Sequence, residues 1–425
     1  MKNRPERGFL EAGLLACLPV AAIAFGGTQP LVWAGVQFTI FTLTAAAVWV
    51  VPEEFAALPW KWLAVLAAFL VIQAIVLQIN GERAHGPIAD FLIYPAAFAL
   101  TAALAMTPSG RARLCGLLIT LGVAEAVYGL AQQMAGWQQI LGIEKIYYRS
   151  QASGTYVNPN HFAGLLEMTL PLALASAAWN WDHADSPDEE GGHAAAIFFA
   201  ALALLMAAGI FVSHSRMGMV SATVGTAVAA GVWIVSARGH RRRIRLATMC
   251  GVLVAASLLA LWIGAEPMVD RFRHVTIDYG SRITLWRETA AVVAARPAFG
   301  AGWGAFPRLY PQVQATELEF SVEHAHNDYL ELATEFGIPG ALLVVILVAS
   351  VAARALESAW RNLGDRNSYY VLGAASGVTA LGVHSLADFN LRLPANALIF
   401  AALLGLAWVS ASPAMPGPDG RQRAE

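Results

Sequence analysis

Residues 194–236 read AAAIFFAALALLMAAGIFVSHSRMGMVSATVGTAVAAGVWIVS, and this stretch decides the fold. A membrane-spanning helix needs roughly 20 predominantly apolar residues. Two runs of that length stand here side by side, separated only by the polar residues His214, Ser215 and Arg216. The pattern predicts two spanning helices joined by a tight turn, because exposed irregular backbone is not tolerated within the hydrocarbon.

The same alternation of long apolar runs and polar breaks covers the rest of the 425-residue chain. Hydrophobic residues make up 57% of it and charged residues only 13%, whereas about a quarter of a soluble domain is charged. We therefore predict an all-α, polytopic transmembrane helical bundle of about 12 helices. The predicted spans are 9–26, 31–51, 61–79, 90–106, 114–134, 161–179, 194–213, 217–236, 246–264, 338–355, 369–386 and 396–411.

Basic residues are distributed unevenly between the loops, and loops rich in Lys and Arg face the cytoplasm. With a cytoplasmic N-terminus, that side receives Lys2, Arg4, Arg7, Arg111, Arg113, Arg238, Arg241, Arg242, Arg243, Arg245, Arg354, Arg361, Arg366, Arg421 and Arg423. The opposite short loops hold only Arg83, Lys145, Arg149, Arg216 and Arg392. This bias predicts a multi-pass protein of the bacterial inner membrane with both termini cytoplasmic. The first apolar run is then a spanning helix rather than a cleaved signal peptide.

The predicted organisation has four parts. Residues 1–264 carry nine spanning helices, 265–337 form one large periplasmic loop, 338–411 carry three more spans, and 412–425 are a cytoplasmic tail. A long loop in a compact protein is usually functional, so the loop 265–337 is where we expect the active site.

Several function classes are disfavoured by the composition. The net charge of -2 argues against a nucleic-acid partner, which favours a basic domain. Cys17, Cys115 and Cys250 each lie inside an apolar run, so they read as buried hydrophobic residues rather than as a disulfide or metal site.

Arginine and histidine dominate three polar patches on the predicted periplasmic side. The patches are Ser281–Gln312, Glu323–Gly340 and His384–Leu398, all at helix ends of one compartment. Arginine pairs with phosphate through its planar fork of donors, and histidine accepts a proton near neutral pH. The combination suits transfer of a group from a phosphate leaving group to a hydroxyl.

Metal binding is the rival interpretation for the histidines. His324 and His326 are two residues apart, which is not the spacing of a helical HExxH zinc site. The chain contains no Asp-x-Asp pair that would suit a divalent cation holding a diphosphate. We therefore expect a site without metal or cofactor.

Five motifs resemble the bacterial O-antigen ligase and O-antigen polymerase superfamily, over about residues 150–411. They are GTYVNPNHFAG, SHSRMG, SRITLWRE followed by PAFGAGWGAF, HAHNDYLELATEFGIPG and HSLADFNLRLPANALIF. The resemblance implies a GT-C-type membrane glycosyltransferase that is metal-independent and acts at the periplasmic face. Its implied donor is an undecaprenyl-diphosphate-linked glycan, and its implied acceptor is a hydroxyl of a glycan, of lipid A–core or of a protein. By motif position, the implied catalytic residues are Arg216, Arg282 and His326.

Other residues of these motifs are weaker candidates for substrate binding. Several have an architectural alternative: helix capping for the asparagines and the interfacial aromatic belt for Tyr329 and Trp303. Glu335 either orients His326 or caps the following helix. Asp388 has an arginine as its expected partner. The candidates are His324, Asn327, Tyr329, Asn158, Asn160, His161, Trp303, Glu335 and Asp388. His324 also competes with His326 as the base.

The sequence leaves several functions open. A polymerase lengthens a lipid-linked glycan, a ligase transfers it to lipid A–core, and a protein O-oligosaccharyltransferase transfers it to a side chain. A lipid-linked glycan transporter or flippase is the alternative of another class, although such proteins often show two related halves that are not evident here. A purely structural envelope subunit is the remaining alternative.

Overall fold

The structure is a computed structural model, and it describes residues 5–81, 86–184, 192–237, 239–247, 275–315 and 321–409. Its main helices are α1 Pro5–Ile23, α2 Pro30–Val50, α3 Pro52–Ala56, α4 Trp60–Ile79, α5 Ala89–Leu104, α6 Pro108–Ala135, α7 Pro159–Asp182, α8 Gly192–Val212, α9 Arg216–Ser236, α10 Val275–Ala295, α11 Phe306–Leu309, α12 Asp328–Arg361, α13 Arg366–His384 and α14 Pro394–Trp408. Residues 239–247 are also helical. One small hairpin pairs β1 Gln139–Ile140 with β2 Ile143–Glu144 in antiparallel register.

The predicted fold class is confirmed as an all-α, polytopic membrane protein. Seven helices in the described part of the chain are long and apolar enough to cross a membrane: α2, α4, α6, α7, α8, α9 and α12. The predicted hairpin is present, since α8 ends at Val212 and α9 begins at Arg216. Helices also lie at the other predicted spans, except that 246–264 falls largely outside the described residues, as does the tail 412–425.

Helix α7 is the centre of the bundle. Of its most apolar 18-residue window, 89% is buried within the protein, and it packs against α6, α8, α9 and α13. The start of α7 therefore has a fixed position relative to the ends of its neighbours, where the polar motifs lie.

The segment predicted to be a periplasmic loop, residues 265–337, contains helices in its described part. Its residues form α10, which ends at Ala295, and the first turns of α12. Helix α12 begins ten residues before the predicted span at 338 and is kinked at Gly337, where φ is 68° and ψ is 175°. The kink separates a short helix that begins at Asp328 from the long apolar helix that follows.

The loop after α10 is docked onto this kink. Backbone hydrogen bonds run from Ala301 N to Thr334 O (3.0 Å), from Gly302 N to Glu335 O (2.8 Å) and from Ile338 N to Pro297 O (2.8 Å). A Cβ on Gly337 would lie 2.6 Å from the backbone carbon of Ala298. Two backbone segments can approach this closely only because glycine stands at the contact.

Replacing Gly337 with alanine should therefore destabilise the protein. The substitution puts a Cβ at a positive φ and against backbone, so we expect a loss of at least about 1 kcal/mol, read as a lower unfolding temperature in detergent. Gly116→Ala is the matched control, because a Cβ at this helical position meets nothing within 4 Å. Equal unfolding temperatures for the two variants would contradict the docking.

Candidate active site

A single buried carboxylate joins the three polar patches. Asp388 lies between α13 and α14, and its side chain is only 1% exposed. Its Oδ2 accepts a hydrogen bond from Asn160 Nδ2 (2.6 Å) and lies 4.0 Å from the guanidinium of Arg282. Its Oδ1 accepts from the Phe389 backbone N–H (2.9 Å) and lies 3.4 Å from Nδ1 of His326. Residues distant in sequence thus share one anion.

Arg282 reaches this carboxylate from α10. One guanidinium nitrogen donates to the carbonyl of Ala387 at 2.5 Å, and 22% of the side chain is exposed. One turn later, Trp286 Nε1 donates to the carbonyl of His326 at 3.2 Å. Helix α10 therefore fixes both Arg282 and the backbone of His326.

His326 has an unusual backbone, with a φ of 47°. A left-handed conformation is costly for a residue with a side chain and often marks a functional site. The distance from Nδ1 to Asp388 suits an ion pair, but within the described part of the chain Nδ1 has no aligned hydrogen bond. Catalytic hydrogen bonds are often loose before substrate binds, and 34% of the side chain is exposed.

The local charges keep Asp388 ionised. Burial alone would raise the pKa of its carboxyl, but contact with His326 and the charges of His161 and His384 hold that pKa below its ordinary value. The carboxylate can therefore stabilise a positive imidazole beside it.

Three imidazoles surround the ring of Phe389. His161 and His326 meet it edge-on, with centroids 4.6 Å and 4.8 Å away, and His324 stacks on it at 4.4 Å. His324 has its own carboxylate, since its Nδ1 lies 2.9 Å from Glu331 Oε1. Both histidines of the HAH motif are thus paired with acids, but only His326 shares its acid with Arg282.

A second cluster of buried charges is centred on Arg392 and is linked to the site through Glu331, the acid paired with His324. Arg392 lies 3.2 Å from Glu331 and 2.7 Å from Glu335, and its guanidinium is 4.5 Å from the centre of the Trp303 ring. Burial would lower the pKa of Arg392, but these carboxylates and Asp328 raise it. The arginine therefore remains charged and compensates acids that could not stay ionised alone.

Arg216 begins α9, directly after Ser215, whose hydroxyl accepts from the Gly218 N–H at 3.1 Å. Gly218 packs closely against Ala163, the fifth residue of α7, since a Cβ on Gly218 would lie 2.6 Å from the Ala163 Cβ. Asn160, one turn earlier in α7, holds Asp388. Arg216 therefore stands at the same end of the bundle as Arg282 and His326.

The other predicted residues make architectural contacts. Asn158 caps α7 and Asn327 caps α12, while the hydroxyl of Tyr329 donates to the Gly382 carbonyl at 2.6 Å. Trp303 packs against aromatic rings of α5 and α12. Glu335 accepts from the Gly304 N–H (2.7 Å) and pairs with Arg392 rather than orienting His326.

Sequence reasoning missed the roles of Arg392, Glu331 and Phe389. Arg392 was counted only as a loop charge, although an arginine four residues after Asp388 in an apolar motif needs a partner. It also missed the pair of His384 with Glu167, both fully buried and 2.9 Å apart.

In the part of the chain that the structure describes, no group of three or more His, Cys, Asp or Glu side chains is arranged to hold a metal ion.

Fold and site together define a multi-pass membrane protein with a polar cluster of arginine, histidine and buried acids at one end of its helices. Residues 201–345 match the family model described as O-Antigen ligase. This match includes Arg216, Arg282 and His326, and it confirms the resemblance to the O-antigen ligase-related superfamily that the motifs indicate. The domain supports a glycosyltransferase-type activity in surface-polysaccharide assembly. A search of curated proteins finds no match for the chain.

Replacing Arg392 with leucine should strongly destabilise the protein, because it leaves Glu331 and Glu335 buried without their cation. Breaking a buried ion pair costs about 3–5 kcal/mol. The matched control is Arg361→Leu, which removes an arginine that is 69% exposed and pairs with Glu357; exposed pairs contribute about 0–1 kcal/mol. Thermal unfolding of both variants in detergent is the measurement, and a similar loss in the two would refute the role of the buried cluster.

Proposed function

We propose that the chain is a membrane glycosyltransferase that moves a glycan from an undecaprenyl-diphosphate donor to a hydroxyl acceptor in surface-polysaccharide assembly. One observation carries the proposal: a single buried carboxylate, Asp388, contacts both a histidine suited to be a base and an arginine suited to hold phosphate.

His326 is the proposed general base. With Nδ1 directed at Asp388, Nε2 is the nitrogen left for the acceptor. It takes the hydroxyl proton while the acceptor oxygen forms a bond to the anomeric carbon of the donor sugar. The bond from that carbon to the phosphate oxygen breaks, and the lipid diphosphate leaves with the electron pair. Asp388 stabilises the imidazolium formed in this step.

Arg282 and Arg216 are the proposed diphosphate ligands. The leaving diphosphate gains negative charge as the glycosidic bond breaks, and guanidinium donors placed beforehand stabilise that charge. Exposure of part of the Arg282 side chain beside Asp388 leaves it within reach of a ligand. Since arginines supply the positive charge, the proposed mechanism needs no metal.

The proposed orientation follows from the loops that meet at the site. They are the segment before α7, the turn before α9, the segment 275–328 and the α13–α14 connection, all of which the basic-residue bias assigns to the periplasmic side. We accordingly propose an inner-membrane protein of about 12 spans and GT-C type, with cytoplasmic termini and a periplasmic active site.

The three forms of this activity differ in their acceptor, and the product of the reaction identifies which acceptor is used. A ladder of lengthened lipid-linked glycan marks a polymerase, whereas loss of glycan-capped lipid A in a deletion strain marks a ligase. Glycan attached to a protein hydroxyl marks the protein-directed form.

Transfer should depend on His326 and Arg282. In purified proteoliposomes with a defined lipid-linked donor, His326→Ala should slow transfer by about 10²–10⁴-fold, the usual contribution of a general base. Arg282→Ala should cause a loss of similar order, because an uncompensated leaving charge raises the barrier.

The matched controls are His193→Ala and Arg361→Ala, which remove the same residue types away from the site. These variants should transfer at the unmodified rate, and all four should remain in the membrane. Full activity in a folded His326→Ala or Arg282→Ala variant would remove that residue from the mechanism.

A further inference from the structure

A small β-hairpin follows α6 at the same end of the bundle as the active site. Its strands pair Gln139 with Glu144 and Ile140 with Ile143, which leaves Leu141 and Gly142 as a two-residue turn. Their φ angles are 49° and 86°. Two positive φ values define the rigid turn type that usually carries Asn-Gly, so leucine at the first position is a costly choice.

The hairpin folds back along α6 instead of extending away from it. The Leu141 N–H donates to the hydroxyl of Tyr128 at 2.8 Å, and Gln132 Nε2 donates to the Gln139 carbonyl at 3.1 Å. Tyr128 lies seven residues before the end of α6 at Ala135, which is about 10 Å along the axis at 1.5 Å per residue. The tip of the hairpin therefore lies beside the last two turns of α6 rather than beyond the end of that helix.

The hairpin and its flanks expose apolar side chains. Ile146 is 79% exposed and Leu141 52%, and Trp137, Ile143, Tyr147 and Tyr148 are exposed as well. On α6, which is a candidate span, Val127 and Met134 are exposed as well. Tryptophan and tyrosine are the aromatic residues enriched where a bilayer meets water.

The charges of the segment are paired or turned inward. Glu144 and Arg149 form an ion pair at 2.6 Å. Lys145 is buried, and its Nζ donates to the Gln151 carbonyl at 2.8 Å. Burial lowers the pKa of Lys145 to about 8. The hydroxyl of Tyr128 likewise satisfies the backbone N–H at the tip, as a weakly hydrated environment requires.

We infer that residues 137–148, the apolar hairpin segment, insert into the interfacial layer of the membrane leaflet on the active-site side. The occupant of this surface is lipid, at the boundary between head groups and acyl chains. The depth of the tip along α6, the exposed apolar side chains of the segment and of that candidate span, and the paired charges favour lipid over water or another protein. Since the chain runs from this segment through residues 151–158 to Asn160, the hairpin would hold the site at head-group depth.

The test labels single cysteines with an environment-sensitive fluorophore in the full-length protein in nanodiscs. Cys17, Cys115 and Cys250 are first replaced with alanine, and transfer activity and elution profile check that background. Leu141→Cys and Ile146→Cys report on the segment; Ile146 does not depend on the strained turn. Ser321→Cys, at an exposed position in the loop before α12, is the matched control.

Lipids spin-labelled near the head group should quench labels at 141 and 146 but not at 321, and both emissions should be blue-shifted relative to 321. Aqueous iodide should show the opposite pattern. Equal iodide quenching at all three positions would overturn the inference. Protection from iodide without quenching by the labelled lipids would also overturn it, in favour of a covering protein surface.

Discussion

The carboxylate of Asp388 imposes the constraint on which the candidate site depends, because it is buried and must be compensated. An isolated ionised acid away from water is very unfavourable. Four groups surround it here: an amide from α7, a backbone N–H, an imidazole from the segment before α12 and a guanidinium from α10. The same anion that holds these elements together also orients the imidazole and keeps the arginine beside it.

The second cluster fixes the position of the short helix that follows His326. Arg392 binds acids on two successive turns of α12, and one of those acids binds His324. The kink at Gly337 and the loop docked onto it bring Trp303 over the same arginine. The short helix that begins after His326 is therefore fixed from both sides, which allows His326 to keep its left-handed backbone.

Much of this was accessible from sequence, for identifiable reasons. The apolar runs predicted the helices because bilayer thickness sets their length, and the turn at His214–Arg216 followed from charge within an apolar pattern. Arg282 and His326 were selected by their positions in the motifs that carry the family resemblance, and Asp388 was a weaker candidate in the last of these motifs. Their common contact was not predictable, since it joins residues 282, 326 and 388 across three elements. For Glu335 the sequence offered orientation of His326 or helix capping and did not indicate the pair with Arg392, because spacing along a helix does not reveal an arginine from another connection.

The most direct test of the central claim is a double-mutant cycle on transfer rate with Asp388→Asn and His326→Ala in proteoliposomes. If Asp388 acts by positioning His326, removing its charge should slow the unmodified protein far more than it slows the His326→Ala variant. Unfolding temperatures identify any variant whose loss is one of folding. An equal slowing factor in both backgrounds would mean that the two side chains act independently, and it would contradict the shared site described here.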